Sequence, residues 1–108
     1  MINDPKKFLS NLFEAAVAAA QPALCVPCAL PEPPKGRTIV IGGGKAGGAM
    51  AAAVEKHYAG EVSGLVITRY GYGMACDNIE IIEAAHPVPD QAGMNGAIRM
   101  LQTVEGLS

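Results

Sequence analysis

The stretch RTIVIGG at residues 37–43 constrains the fold of this chain more than any other. Its β-branched residues follow one another without polar alternation and stop at glycines. A strand that is apolar on both faces needs cover on both, which is the situation of a parallel sheet flanked by helices. Residues 45–60, KAGGAMAAAVEKHYAG, follow as an alanine-rich helix closed by Gly60. VSGLVITRYG (62–71) then reads as a second strand and IEIIEAA (79–85) as a third. After the loop HPVPD, Asp90 is placed to cap a last helix beginning QAGMNGAIRM. This alternation predicts an α/β fold, an open sheet that is mainly parallel with flanking helices.

Upstream, Asp4-Pro5 is a helix start, an N-cap aspartate followed by proline at the first helical position. Phe8, Leu9, Leu12, Phe13, Ala16, Val17 and Ala20 then recur at three- and four-residue spacing and form one apolar stripe. The segment QPALCVPCALPEPPKG contains five prolines. It is expected to be neither helix nor central strand, but a connector that brings the first helix back over the sheet. The organisation expected is thus a helix at 1–21, a proline-rich connector at 22–36 and a βαβ-βα unit at 37–108. Three strands are few for a doubly wound sheet, and the sequence stops after a helix where a strand is due. It therefore reads as part of a longer domain.

The net charge of −2, without a basic cluster, lacks the electrostatic footprint of a nucleic-acid binder. No apolar run reaches the roughly 20 residues of a membrane span. The first 25 residues carry Asn, Asp, Glu and Gln and are helix-periodic, so they read as a cytoplasmic amphipathic helix and not a signal peptide. The three cysteines, Cys25, Cys28 and Cys76, are an odd number and do not suggest a disulfide framework. Cys25 and Cys28 form a C-x-x-C in the proline-rich connector. No second pair completes a zinc site, and no metal ligands are assigned; the pair reads as two incidental thiols.

Gly42-x-Gly44-x-x-Gly47 matches G-x-G-x-x-G between a strand and a helix, the context of a dinucleotide fingerprint. The acidic residue that should close the second strand is replaced by Thr68-Arg69, where an arginine suits a 2′-phosphate. A Walker loop is excluded: Ile39 stands where its first glycine belongs, and Ala46 follows Lys45 in place of Ser or Thr. What remains is a glycine loop with a lysine expected in the first helical turn. A cation there is disfavoured by about 0.3–1 kcal/mol, a sign that a bound anion would reverse.

Ligands of open α/β sheets bind beyond the carboxyl ends of the strands. Lys45, Arg69 and His86 follow three successive strands and are expected at one rim; Asp90, nearby, is assigned to capping. Each also has a plainer reading: an exposed cation for Lys45, a surface ion pair for Arg69, a loop hydrogen bond for His86.

Taken together, G-G-G-K-A at 42–46, T-R-Y-G at 68–71 and E-A-A-H-P-V-P-D at 83–90 closely resemble the N-terminal part of the glycerate 2-kinase family, often labelled hydroxypyruvate reductase. The resemblance runs over essentially the whole chain and gives no role to Cys25 and Cys28. It implies a Rossmann-like domain within a two-domain enzyme of roughly four times this length. ATP, glycerate and magnesium would meet between the domains, giving 2-phosphoglycerate. Lys45 is the catalytic residue it implies, neutralising the phosphoryl group or the glycerate carboxylate. Gly42, Gly43, Gly44, Arg69 and His86 become binding candidates. Two alternatives stay open: an NADP-dependent hydroxypyruvate reductase, and a folded α/β piece without catalysis. An uncovered sheet edge would also favour homo-oligomers.

Overall fold

The computed structural model describes residues 2–107 and contains a three-stranded parallel sheet in the order β1-β2-β3. Strand β1 (Thr38–Gly43) pairs with β2 (Val62–Arg69) from Thr38 opposite Val62 to Gly43 opposite Ile67. Strand β3 (Ile79–Ala84) continues the sheet from Gly64 opposite Ile79 to Arg69 opposite Ala84. The central strand is also the most buried: Leu65, Val66 and Thr68 are almost fully enclosed.

Alternation along β2 sends its side chains to two covered faces. Val66 packs with Ala51 and Ile79 under helix α3 (Gly47–His57). Ile67 on the other face meets helix α4 (Gln91–Thr103), where a Cβ added to Gly96 would lie 2.9 Å from the Ile67 Cδ1. Glycine and alanine at these contacts let both helices sit close to the sheet. Gly64 serves the sheet itself, because a Cβ there would lie 1.9 Å from the Val40 carbonyl oxygen across the strand pair. The expected open parallel α/β sheet is present.

Two expectations about the N-terminal third need correction. The connector is not free of helix: helix α2 (Pro22–Cys25) and a 3-10 turn (Pro27–Ala29) occupy it. Pro22 and Pro27 each stand at the start of a helical turn, where the missing N–H is not needed, so these prolines begin turns. Helix α1 (Pro5–Ala19) forms as expected, with Asp4 accepting a 3.0 Å hydrogen bond from the Lys7 amide. It does not fold back over the sheet, however, and buries none of its residues. The short turns of α2 dock against α3 in its place, and the Phe8, Leu9, Leu12 and Phe13 stripe stays exposed. No single helix among the described residues is long and apolar enough to cross a membrane; α1 and the turns after it reach that length only jointly, across a 47° bend.

Candidate functional site

The chain leaves β1 through Gly43, Gly44, Lys45 and Ala46, and α3 begins at Gly47. Gly44 holds φ +121, a conformation that L side chains rarely adopt. Its amide donates to the Ile67 carbonyl at 3.0 Å, tying the loop to β2. Its own carbonyl accepts from the Gly47 amide at 3.0 Å and from the Thr68 hydroxyl at 3.0 Å. The same hydroxyl lies 3.5 Å from the Lys45 carbonyl. Thr68 is 3% exposed, so the turn is anchored from within by a buried side chain.

This geometry moves Lys45. It lies in the turn before Ala46, the N-cap of α3, and not in the first helical turn as expected from the sequence. The Gly44 conformation and the Thr68 anchor spend two further residues on the turn before helical geometry starts. The first turn of α3 has no acidic residue and no side-chain cap; the Gly47 amide is taken by the Gly44 carbonyl, which leaves the Gly48 and Ala49 amides as the uncapped donors beside the lysine. Close seating follows from the next glycines: a Cβ on Gly47 would lie 2.9 Å from the Val66 Cγ1, and one on Gly48 would lie 2.8 Å from the Tyr72 carbonyl oxygen.

Arg69 ends β2, exposed, with its guanidinium carbon 5.2 Å from the centroid of the Tyr72 ring. The Gly71 amide in the turn beyond donates to the Glu83 carboxylate at 2.9 Å. His86 follows β3, exposed, and the His86–Pro87 peptide is cis. Asp90 gathers this rim: it accepts from the Tyr70 hydroxyl at 2.7 Å, the Gly93 amide at 3.0 Å and the Ala85 amide at 3.2 Å. It is the cap expected, and in addition it ties the exits of β2 and β3 to the start of α4. The Tyr70 hydrogen bond, with those amides, holds its carboxyl below the usual range and raises the Tyr70 phenol.

Gly43, Gly44, Thr68, Arg69, Ala85 and His86 border one cleft of about 240 Å³ at the carboxyl ends of all three strands. Lys45 borders the adjoining hollow of about 430 Å³, between β1 and α3, together with Gly42 and Met50. Gly43 and Gly44 border both. Arg69 and His86 therefore share a cleft, while Lys45 stands on the other side of the glycine ridge. A larger hollow of about 510 Å³ opens at the amino ends of β1 and β2, between Pro33 and Ser63; none of the candidate residues reaches it.

Three groups have roles that the sequence did not reveal, two at the rim and one at the opposite end of the sheet. Thr68 stood at the end of the second strand in the T-R-Y-G motif, but nothing in the sequence gave it the role of anchoring the glycine turn. Glu83 opened the E-A-A-H-P-V-P-D motif, but nothing in the sequence linked it to the Gly71 amide. Glu55, on α3, accepts hydrogen bonds from the Asp77, Asn78 and Ile79 amides and pulls the entry of β3 onto the helix. Those amides hold its carboxyl below the usual range, Asp77 foremost. A lone acid in an alanine-rich helix was its only signal.

Residues 8–108 match the family described as Domain of unknown function (DUF4147). The chain belongs to this family. Among its relatives, an Agrobacterium vitis protein with the provisional name hydroxypyruvate reductase is 46% identical over 103 residues, covering 94% of this chain and 24% of its own length. The D-glycerate 2-kinase of Thermotoga maritima is 32% identical over 105 residues, covering 95% of this chain and 25% of its own. The crystal structure of glycerate kinase from Thermotoga maritima superposes with a TM-score of 0.75 at 27% identity, again over 95% of this chain and 25% of that one. The DUF4147 chain thus spans about a quarter of the length of these relatives, and the glycerate 2-kinase resemblance read from its three motifs holds.

Proposed function

We propose that this chain forms the anion-binding part of a glycerate 2-kinase, which transfers the γ-phosphate of ATP to glycerate. The observation that carries this reading is the meeting of the Gly43–Gly44 turn, Arg69 and His86 at one cleft, with Lys45 across the glycine ridge. Phosphoryl transfer asks a protein mainly to position anions and stabilise charge. Lys45, near the uncapped Gly48 and Ala49 amides of α3, neutralises the transferring phosphoryl group or the glycerate carboxylate. Gly42, Gly43 and Gly44 keep side chains out of the ridge so that a ligand can approach the backbone. Arg69 and His86 bind the substrate or nucleotide from the other side. Residues 1–108 then act as the N-terminal part of a Rossmann-like domain, with the rest of the cleft supplied by sequence like that of the longer relatives.

Magnesium accompanies ATP in this reading. Among the described residues no three His, Cys, Asp or Glu side chains group to hold a metal ion, so this stretch offers no ligand set for it. The second reading, an NADP-dependent hydroxypyruvate reductase, draws on Arg69 at the end of β2, where a 2′-phosphate would sit. Two assays separate the readings: ADP release from ATP with glycerate, and NADPH oxidation with hydroxypyruvate. Both are run on the chain alone and on a chimera in which it replaces the matching quarter of the Thermotoga maritima D-glycerate 2-kinase. The proposal expects kinase turnover from the chimera and none from the chain alone. Reductase turnover without kinase turnover would overturn it.

A further inference from the structure

The connector carries a pair of nucleophiles that the proposed phosphoryl transfer does not use. Cys25 ends helix α2 and Cys28 lies in the 3-10 turn that follows. Val26 between them has φ −68 and ψ −45, so the helical sense continues from one cysteine to the other. Residues i and i+3 of such a turn have Cα atoms less than about 7 Å apart, and disulfides form at about 4.4–6.8 Å. The Cys28 thiol donates to the Cys25 carbonyl at 3.1 Å, so the second sulfur already rests against the backbone of the first. The Cys25 sulfur points to the Ala20 carbonyl at 3.6 Å, so closure requires it to leave that contact for another χ1 rotamer. Both residues are exposed, whereas Cys76 lies apart and partly buried. The turn packs on α3.

We propose that Cys25 and Cys28 form a redox-active dithiol that closes by exchange with a low-molecular-weight disulfide of the glutathione type. The thiolate of one cysteine attacks a sulfur of that disulfide, forming a mixed disulfide and releasing one thiol. The other cysteine attacks the protein sulfur of the mixed disulfide, forming the Cys25–Cys28 bond and releasing the second thiol. Two protein thiols are oxidised, the reagent is reduced to two thiols, and the two thiol protons pass to the departing sulfurs. The product staples α2 to the 3-10 turn without touching the strand rim.

The test is incubation of the whole reduced chain with oxidised glutathione, followed by intact-mass measurement, thiol counting and peptide mapping. Wild type is expected to lose two hydrogens, to keep one free thiol at Cys76 and to yield a Cys25–Cys28 cross-linked peptide. Cys25→Ser and Cys28→Ser, both at exposed positions, should stop at one bound glutathione on the remaining connector cysteine. Closure should be faster in the folded chain than in the same chain unfolded in urea. Three thiols left free, separate glutathiones on Cys25 and Cys28 without closure, or equal closure rates with and without urea would each overturn the proposal.

Discussion

Replacing Thr68 by valine keeps the branched shape of a 3% exposed side chain but removes the hydroxyl that holds the glycine turn. The bond lost is the 3.0 Å donation to the Gly44 carbonyl; the 3.5 Å approach to the Lys45 carbonyl is at the limit of a hydrogen bond and adds little. A buried acceptor stranded without any partner costs about 1–3 kcal/mol, against about 0.5–1.5 kcal/mol net for an ordinary hydrogen bond. The Gly44 carbonyl keeps the Gly47 amide, and Gly44 itself is exposed, so the smaller figure applies. We therefore expect Thr68→Val to destabilise the chain by about 1 kcal/mol, a fall in midpoint of roughly 4–8 °C for a domain of this size. With a urea slope of about 1–3 kcal/mol/M, the midpoint should drop by roughly 0.3–1 M at unchanged slope. Urea unfolding followed by far-UV circular dichroism measures this. Amide exchange adds the local view: the Gly44 and Gly47 amides should exchange roughly fivefold faster, the factor that corresponds to about 1 kcal/mol. Thr68→Ser, which keeps the hydroxyl, should leave that local exchange near wild type. A Thr68→Val chain with wild-type midpoint and wild-type exchange at both glycines would refute the buried hydroxyl as the anchor of the loop.

Other perturbations test the sheet and the rim. Gly64→Ala places a Cβ 1.9 Å from the Val40 carbonyl oxygen at φ +154, so it should cost about 3 kcal/mol or more in urea unfolding. Gly36→Ala, with nothing within 4 Å of the added carbon, should stay within about 0.5 kcal/mol of wild type. The Glu55 and Asp90 carboxyls are lowered in the folded chain from ordinary values of 4.5 and 3.8. Their contribution is thus fully present above those values and is lost as the pH falls through them toward the folded values. Stability against pH should decline below about pH 4.5, and Glu55→Gln should flatten the upper part of that decline; an unchanged profile would remove Glu55 as its source.

The strands were legible because a continuous β-branched run has few other uses, and both aspartate caps were legible from Asp4-Pro5 and from Asp90 before a periodic segment. The short helices of the connector were not, since five prolines argue against helix unless they fall at first positions, as Pro22 and Pro27 do. The packing of α1 was also hidden. An apolar stripe tells that a face can be buried, and the stripe on Phe8, Leu9, Leu12 and Phe13 is not covered by the sheet of this chain. At the rim, residues on strand ends were found by topology alone, which placed Arg69 and His86 together. Lys45 was placed in the first helical turn because the two-residue delay before α3 depends on Thr68, some 23 positions away in sequence. Long-range anchors of this kind leave no periodic trace.

The proposed role of the glycine-lysine loop rests most heavily on Lys45. The most direct measurement is the turnover number for ATP and glycerate of the Thermotoga chimera carrying this chain, with Lys45 intact and with Lys45→Ala. Loss of a transition-state charge partner should reduce kcat by roughly 10² or more, with the fold unchanged by circular dichroism. An unchanged kcat in a folded variant would contradict the account.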